Sequence, residues 1–258
     1  MASSLPSTLM LPQEYRIMFE AENSHWWYRA LRCWLEHVLR RYVSNTGLIL
    51  DAGCGTGATL ALLQSLNYKS LGFDLSLAGL QYACNRDHLF NKLCCASVTE
   101  LPYSSNSFTG IICADVLYLL HDDDEVNALR EFKRVLRPGG ALILNLPAYE
   151  WLRGEHDQAV STQRRYTAKS LRQKLWAAGF EPLRLEYRYM MFLPALALVR
   201  RLLRSGKQEA AAASSDLTLN FGLLNSMLTY LTHTEERFGR FIIRPFGTSV
   251  CAVAKVSH

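Results

Sequence analysis

The sequence is short of several things, and each shortage removes a class of protein. Long apolar runs are missing. The most apolar stretch, residues 190–199, is broken by Pro194 and followed by Arg200, Arg201 and Arg204, which gives about half of the ~20 residues that a bilayer span requires. It can rest on a membrane but not cross one. The seven cysteines are an odd number, no two form a C-x-x-C pair, and Cys94 and Cys95 are adjacent. That pattern suits neither a disulfide framework nor a zinc site and points to a reducing, cytoplasmic compartment. A strong basic excess is missing too: 28 Lys+Arg against 23 Asp+Glu leaves +5, compatible with an anionic substrate or surface but short of a nucleic-acid-binding signature. Residues 1–12 lack the basic and apolar regions of a secretory signal and read as a loose arm.

What is present is a chain of 258 residues, 49% apolar and 20% charged, a globular composition long enough for one large domain with insertions. From Thr46 onward, β-rich runs alternate with helical ones. This is the pattern of a doubly wound, Rossmann-like α/β sheet with helices on both faces. Strands are expected at 47–51, 69–74, 93–96, 108–114, 141–146, 181–189 and 249–256, with helices at 58–66, 78–86, 122–136 and 167–178. Pro138-Gly139-Gly140 is read as the stop of the third helix. Residues 1–45 form an arm and a helical segment, and 46–258 form the main domain. Within it, 148–166 is a polar, aromatic loop at the carboxyl end of a strand, where α/β enzymes keep their chemistry. Residues 190–240 form a helical insertion, with a mobile linker expected at 205–216.

The most informative residues are Asp51-Ala52-Gly53-Cys54-Gly55-Thr56-Gly57, which follow the apolar run Leu48-Ile49-Leu50 and precede a helix. Glycines at such a junction let the chain turn sharply and let a ligand approach the backbone. The spacing differs from the G-x-G-x-x-G dinucleotide pattern, and no Lys-Ser/Thr follows as it does in a phosphate loop. A second acid, Asp74, closes the next strand, where open α/β sheets hydrogen-bond ribose hydroxyls. Together these imply an adenosine-type ligand without a polyphosphate.

Over residues 47 to about 189, the chain resembles the class I S-adenosylmethionine-dependent methyltransferases of the methyltransferase-11 type. The resemblance rests on DAGCGTG at 51–57, GFDLS at 72–76, ELPYSSNSFTGIICADVLYLL at 100–120 and REFKRVLRPGGALILNLP at 130–147. It implies a seven-stranded sheet whose last strand is antiparallel, with segments 184–189 and 249–256 paired and helices 190–204 and 217–237 inserted between them. It also implies an N-terminal lid within 1–45, S-adenosylmethionine as cofactor, S-adenosylhomocysteine as product, and no metal. Carried over, Gly53, Gly55 and Gly57 lie beneath the methionine part, Asp51 holds its amino group directly or through water, and Asp74 takes both ribose hydroxyls. Leu75 flanks the adenine. The family's Asp after the third strand is replaced by Ala96-Ser97-Val98-Thr99, so Ser97 and the Val98 backbone take over the adenine amino group. Asp115 either contacts the methionine moiety or caps the following turn. Trp27 and Tyr28 face the pocket if the segment is a lid, and pack as core if it is not.

Methyl transfer is an in-line displacement, so the protein must align the acceptor and, for a hydroxyl, remove its proton. Residues 148–166 supply Tyr149, Trp151, His156, Asp157, Arg164, Arg165 and Tyr166. His156 is the first choice for general base, with Arg164 or Arg165 stabilising charge, although it can equally cap the loop. His121, Tyr149 and Tyr166 are further candidates. The run Asp122-Asp123-Asp124 reads as helix N-terminal charge. The expected acceptor is a small apolar or amphipathic molecule, methylated on oxygen in preference to carbon or nitrogen. An RNA or protein methyltransferase is disfavoured because Asp115-Val116-Leu117-Tyr118 stands where an Asn/Asp-Pro-Pro-Tyr/Phe quartet would be. A non-catalytic cofactor-binding subunit is the remaining alternative. Residues 189–204 line a substrate channel, touch a lipid-like substrate or membrane surface, or make a dimer contact. The protein is expected to be a cytoplasmic or membrane-peripheral monomer or homodimer without a nucleic-acid partner.

Overall fold

A computed structural model describes residues 12–86, 89–154, 157, 160–194, 222–238 and 244–257. Two helices open it, α1 (Pro12–Ala21) and α2 (Trp26–Tyr42), followed by β1 (Leu48–Ala52), α3 (Ala58–Ser65), β2 (Lys69–Asp74), α4 (Leu77–Cys84) and β3 (Leu93–Cys95). Then come β4 (Phe108–Ala114), α5 (Asp122–Val135), β5 (Leu136–Pro147), α6 (Ala168–Ala177), β6 (Phe180–Arg188), α7 (Gly222–Phe238) and β7 (Ser249–Val256). The seven strands form one sheet in the order β3-β2-β1-β4-β5-β7-β6. Strands β1 to β5 pair in parallel, and β7 runs antiparallel to both β5 and β6. This is the doubly wound, seven-stranded architecture with an antiparallel last strand.

Successive strand residues point to opposite faces, and the two faces carry separate cores. Ile49, Ile112, Ile143 and Val253 pack with Trp34, Leu35, Val38 and Leu39 of α2 and with Leu60, Leu63 and Leu80 of α3 and α4. Leu50, Ile111, Leu142, Leu144 and Ala252 pack with Ala128, Leu129 and Phe132 of α5 and with Leu171 and Leu175 of α6. The segment expected to be a lid therefore contributes, through α2, a core helix.

Two boundaries differ from expectation. The Pro138-Gly139-Gly140 stretch does not stop a helix: α5 ends at Val135 and β5 begins at Leu136, which pairs with Phe108 before the register shifts. Buried Leu136 anchors the strand while Arg137 to Gly139 bow outward, Gly139 taking the left-handed φ of +75° that this bulge needs. Of the two insertion helices, the second is present as α7, whereas the first is described only as a short turn, Met190–Phe192. Both the arm before Pro12 and the linker 205–216 lie outside the described residues. Among the described residues, no helix is long and apolar enough to cross a membrane.

The insertion is tied to α2, and to the turn before it, by polar contacts. Trp26 N donates to Asn225 Oδ1 at 2.8 Å, and Asn225 Nδ2 donates to Ser24 O at 2.9 Å. Arg188, with no exposed surface, donates to Glu236 Oε1 at 2.8 Å, to Ala30 O at 2.9 Å and to Tyr189 Oη at 3.0 Å. Its guanidinium also lies over the rings of Trp34 and Tyr189. Arg244 bridges Glu186 and Glu236, and Glu186 accepts from Trp34 Nε1 at 2.8 Å.

Candidate functional site

β1 and β4 are adjacent and parallel, with Asp51 opposite Ile112, so their carboxyl ends open side by side. Three glycines turn the chain there with φ of +75°, +50° and +83° at Gly53, Gly55 and Gly57. A β-carbon on Gly53 would collide with Val116 of the loop after β4. The turn is pinned to β2: Gly53 N and Cys54 N both donate to Phe73 O, at 2.9 and 2.8 Å. Gly55 N donates to Asp74 Oδ2 at 2.8 Å, while Asp74 Oδ1 accepts from Ser76 N at 2.8 Å. The glycine loop and the end of β2 are thus one hydrogen-bonded unit.

Four carboxylates gather around this loop. Asp51 is 2% exposed and its Oδ2 has no hydrogen-bond partner among the described residues. Burial, then the neighbouring charges of Asp74 and Glu22, push its pKa up to about 8. Burial also raises Asp74, against the pull of its backbone donors. Asp115 follows β4 with a strained φ of +57°. It accepts from Asn145 Nδ2 at 2.8 Å, and desolvation lifts it to about 7 in spite of that bond and of Arg188 and Arg165. The fourth, Glu22, is 4% exposed and raised by burial although it accepts from Thr56 and pairs with Arg86. A cluster of desolvated acids favours a cationic ligand.

The residues expected to meet adenine are hydrogen-bonded to their neighbours. Ser97 Oγ lies 2.7 Å from Thr99 Oγ1 and accepts from Thr99 N, so its hydroxyl already organises a turn next to buried Val98. The Leu75 carbonyl accepts from Cys95 Sγ at 3.6 Å. In α2, Trp27 and Tyr28 are part-buried and stack edge to face. The Tyr28 hydroxyl is raised by burial and by the charges of Glu22 and Asp115. Sequence reasoning missed Tyr15, Met18, Glu22 and Arg86. No motif marks them, and their partners at the loop are tens of residues away.

The loop after β5 is arranged differently from expectation. Tyr166 is 1% exposed and donates to Glu125 Oε1 at 2.9 Å; Arg164 pairs with Glu125 and Asp122. Lys174 completes this clamp at 2.7 Å from Glu125. Tyr166 and Arg164 thereby join the loop to α5 and α6. Arg165 pairs with Asp157 at 2.8 Å, and it and the other bonds hold Asp157 below the usual carboxylate range in spite of burial. Tyr149 stacks on Tyr187 with centroids 5.1 Å apart. His121 is exposed at the N-cap position of α5, and His156 lies outside the described residues. Tyr166→Phe is expected to leave cofactor affinity and turnover within about twofold while costing about 1.5–3 kcal/mol of stability, the usual size for a hydrogen bond to a charged group. Thermal unfolding and a turnover assay run side by side check it.

Residues 50–144 match the family model described as Methyltransferase domain. The chain is 27% identical over 215 residues to the malonyl-[acyl-carrier protein] O-methyltransferase of Alcanivorax borkumensis, covering 72% of this chain and 71% of that protein. It is 25% identical over 208 residues to phosphoethanolamine N-methyltransferase 3 of Arabidopsis thaliana, covering 76% of this chain and 42% of that one. The match covers about two fifths of the length of several curated relatives. Among solved structures, phosphoethanolamine N-methyltransferase 2 of Haemonchus contortus in complex with S-adenosyl-L-methionine superposes with a TM-score of 0.62 at 17% identity, covering 96% of this chain and 58% of that one. That likeness establishes the fold.

Proposed function

Since the chain belongs, through residues 50–144, to the class I S-adenosylmethionine-dependent methyltransferases of the methyltransferase-11 type, we propose that it methylates a small apolar or amphipathic acceptor, on oxygen in preference to nitrogen or carbon. The observation that carries this reading is the buried Asp51 Oδ2, without a partner among the described residues, beside the charges of Asp74 and Glu22. Buried carboxylates are costly unless a cation meets them. When bound, S-adenosylmethionine supplies a methyl group activated by positive sulfur, and its α-ammonium adds a second positive charge.

In this reading Asp51 holds the α-ammonium, and Gly53, Gly55 and Gly57 admit the methionine portion against the backbone. Asp74 keeps lone pairs for the ribose hydroxyls, since the backbone donors of Gly55, Leu75 and Ser76 do not use all that its two oxygens offer. Leu75 and Val98 flank the adenine, Ser97 accepts from its amino group, and Trp27 and Tyr28 cover the site from α2. Asp115 stands at the methionine end, and its ionisation near 7 suits it to take a proton from an acceptor hydroxyl. His156 remains the alternative base, with His121 and Tyr149 behind it.

Titration calorimetry with S-adenosylmethionine and S-adenosylhomocysteine is expected to give micromolar binding, and labelled methyl transfer to a panel of hydroxylated amphiphiles identifies the acceptor. Asp74→Ala should weaken cofactor binding by about 1.5–3 kcal/mol, or about 10–100-fold. Equal affinity in that variant removes Asp74 from the ribose.

A further inference from the structure

The N-terminal helices reach the glycine loop through a set of contacts that the cofactor motifs do not include. Glu22, in the turn between α1 and α2, accepts from the Thr56 hydroxyl at 2.6 Å and is ion-paired with Arg86. Arg86 in turn donates from Nε to Thr56 O at 2.7 Å, and its guanidinium carbon lies 4.7 Å from the centroid of the Phe19 ring. Arg32 of α2 donates to the Glu22 carbonyl. Because Thr56 is fully buried between Gly55 and Gly57, the helical turn, the residue beyond α4 and the centre of the glycine loop are one bonded unit.

α1 lies directly on that loop. A β-carbon on Gly55 would be 2.9 Å from the Met18 methyl, and one on Gly79 would be 2.9 Å from Tyr15 Cε1. The Tyr15 hydroxyl is hydrogen-bonded to Ser76 and faces Asp74. Yet α1 is lightly anchored elsewhere: Tyr15 is its one buried residue, and none of its residues belongs to either core cluster. A helix that covers a binding loop, and contributes to neither core cluster, can open as a unit.

We infer that Glu22, with Arg86 and Thr56, is the latch that closes α1 over the cofactor site, and that cofactor enters and leaves only while this latch is open. The inference rests on the reading of the site as one for S-adenosylmethionine. Glu22 is a positioning residue: it acts through Thr56 and through the seating of Met18 and Tyr15. A latch strengthens closure of the free and the loaded protein alike. Breaking it therefore speeds both association and dissociation and leaves their ratio nearly unchanged, whereas breaking a plain structural tie loosens binding by raising dissociation alone.

The test is stopped-flow tryptophan fluorescence on the full chain, with S-adenosylhomocysteine as the probe. Glu22→Gln and Arg86→Met are expected to raise kon and koff together by about 10–100-fold, the scale of a lost charge-assisted hydrogen bond, with Kd within about threefold in Arg86→Met, which keeps the Glu22 charge beside the site. Met18→Ala, which removes only the covering side chain, should raise both rates less. In the unaltered protein, S-adenosylhomocysteine should slow amide exchange across 12–22. An increase in koff with unchanged kon, or no change in either rate, overturns the latch. If Glu22→Gln and Arg86→Met do not fold, Met18→Ala and the exchange measurement decide, and unchanged values in both overturn it. Failure of S-adenosylhomocysteine to bind the unaltered protein in calorimetry would instead strike the functional reading, and the latch with it.

Discussion

Asp51→Asn is expected to make the cofactor-free protein more stable near pH 8 and to cripple its hold on S-adenosylmethionine. In the unfolded chain Asp51 ionises in the ordinary carboxylate range, near 3.8, whereas burial and the acids beside it raise it to about 8 in the fold. The folded state thus keeps a proton that the unfolded state releases. Its stabilising contribution is complete below about pH 4 and is lost as pH climbs through 8. Asparagine resembles the protonated acid and removes that loss. The gain near pH 8 should be about 1–3 kcal/mol, about 2–10 °C in Tm for a chain of this size, and should vanish near pH 4. Cofactor affinity should fall by at least about tenfold, because the ammonium loses the negative charge it faces. In the unaltered protein, binding should release protons below pH 8 and weaken as pH falls, which calorimetry in buffers of unlike ionisation enthalpy detects. Binding without proton release, or unaltered cofactor affinity in the Asp51→Asn variant, would refute the placement of Asp51.

Arg188→Met is expected to produce the largest loss of stability of any single change described here. The guanidinium has no exposed surface and joins β6 to α2 through Ala30 and to α7 through Glu236. Removing one partner of a buried ion pair costs about 3–5 kcal/mol, and here it leaves Glu236 with Arg244 alone. Arg188→Met should therefore lower the urea midpoint sharply with little change in slope, and should quench or shift Trp34, whose ring lies beneath the guanidinium. Adding Glu236→Leu should recover part of the loss, since the stranded carboxylate goes too, although Arg244 then loses a partner. Arg130→Ala, on the exposed side of α5, should stay within about 0.5 kcal/mol of the unaltered protein.

How much of this is legible from sequence depends on the range of the interaction. Strands β2, β4 and β7 fall at the residues expected from their apolar runs, 69–74, 108–114 and 249–256, because polar turns bound each run. The start of β5 escapes a linear reading because Pro138-Gly139-Gly140 is equally good chemistry for a helix stop and for a bulge, and only the buried Leu136, seated opposite Phe108, decides between them. The glycine loop and Asp74 are legible because their spacing follows from a strand–turn–helix unit. The Glu22 cluster is not, since it depends on α1 crossing a loop whose Thr56 is 34 residues away. Tyr166 and Arg164 look reactive beside His156 in a linear reading. Their partner Glu125 sits on a helix 41 and 39 residues off, and such pairing leaves no local trace.

The position of β7 also bears on how the chain is made. It is the last of the described strands to be synthesised, yet it lies between β5 and β6, and β6 has no other partner among the described strands. Until those residues arrive, a nascent chain carries an open edge on β5 and an unpaired β6, each a template for pairing with a neighbouring chain. The half of the sheet from β3 to β4 can close early, on short connections. The other half waits on a contact spanning more than a hundred residues, from Asn145 to Cys251, a separation that slows closure and lengthens the aggregation-prone interval.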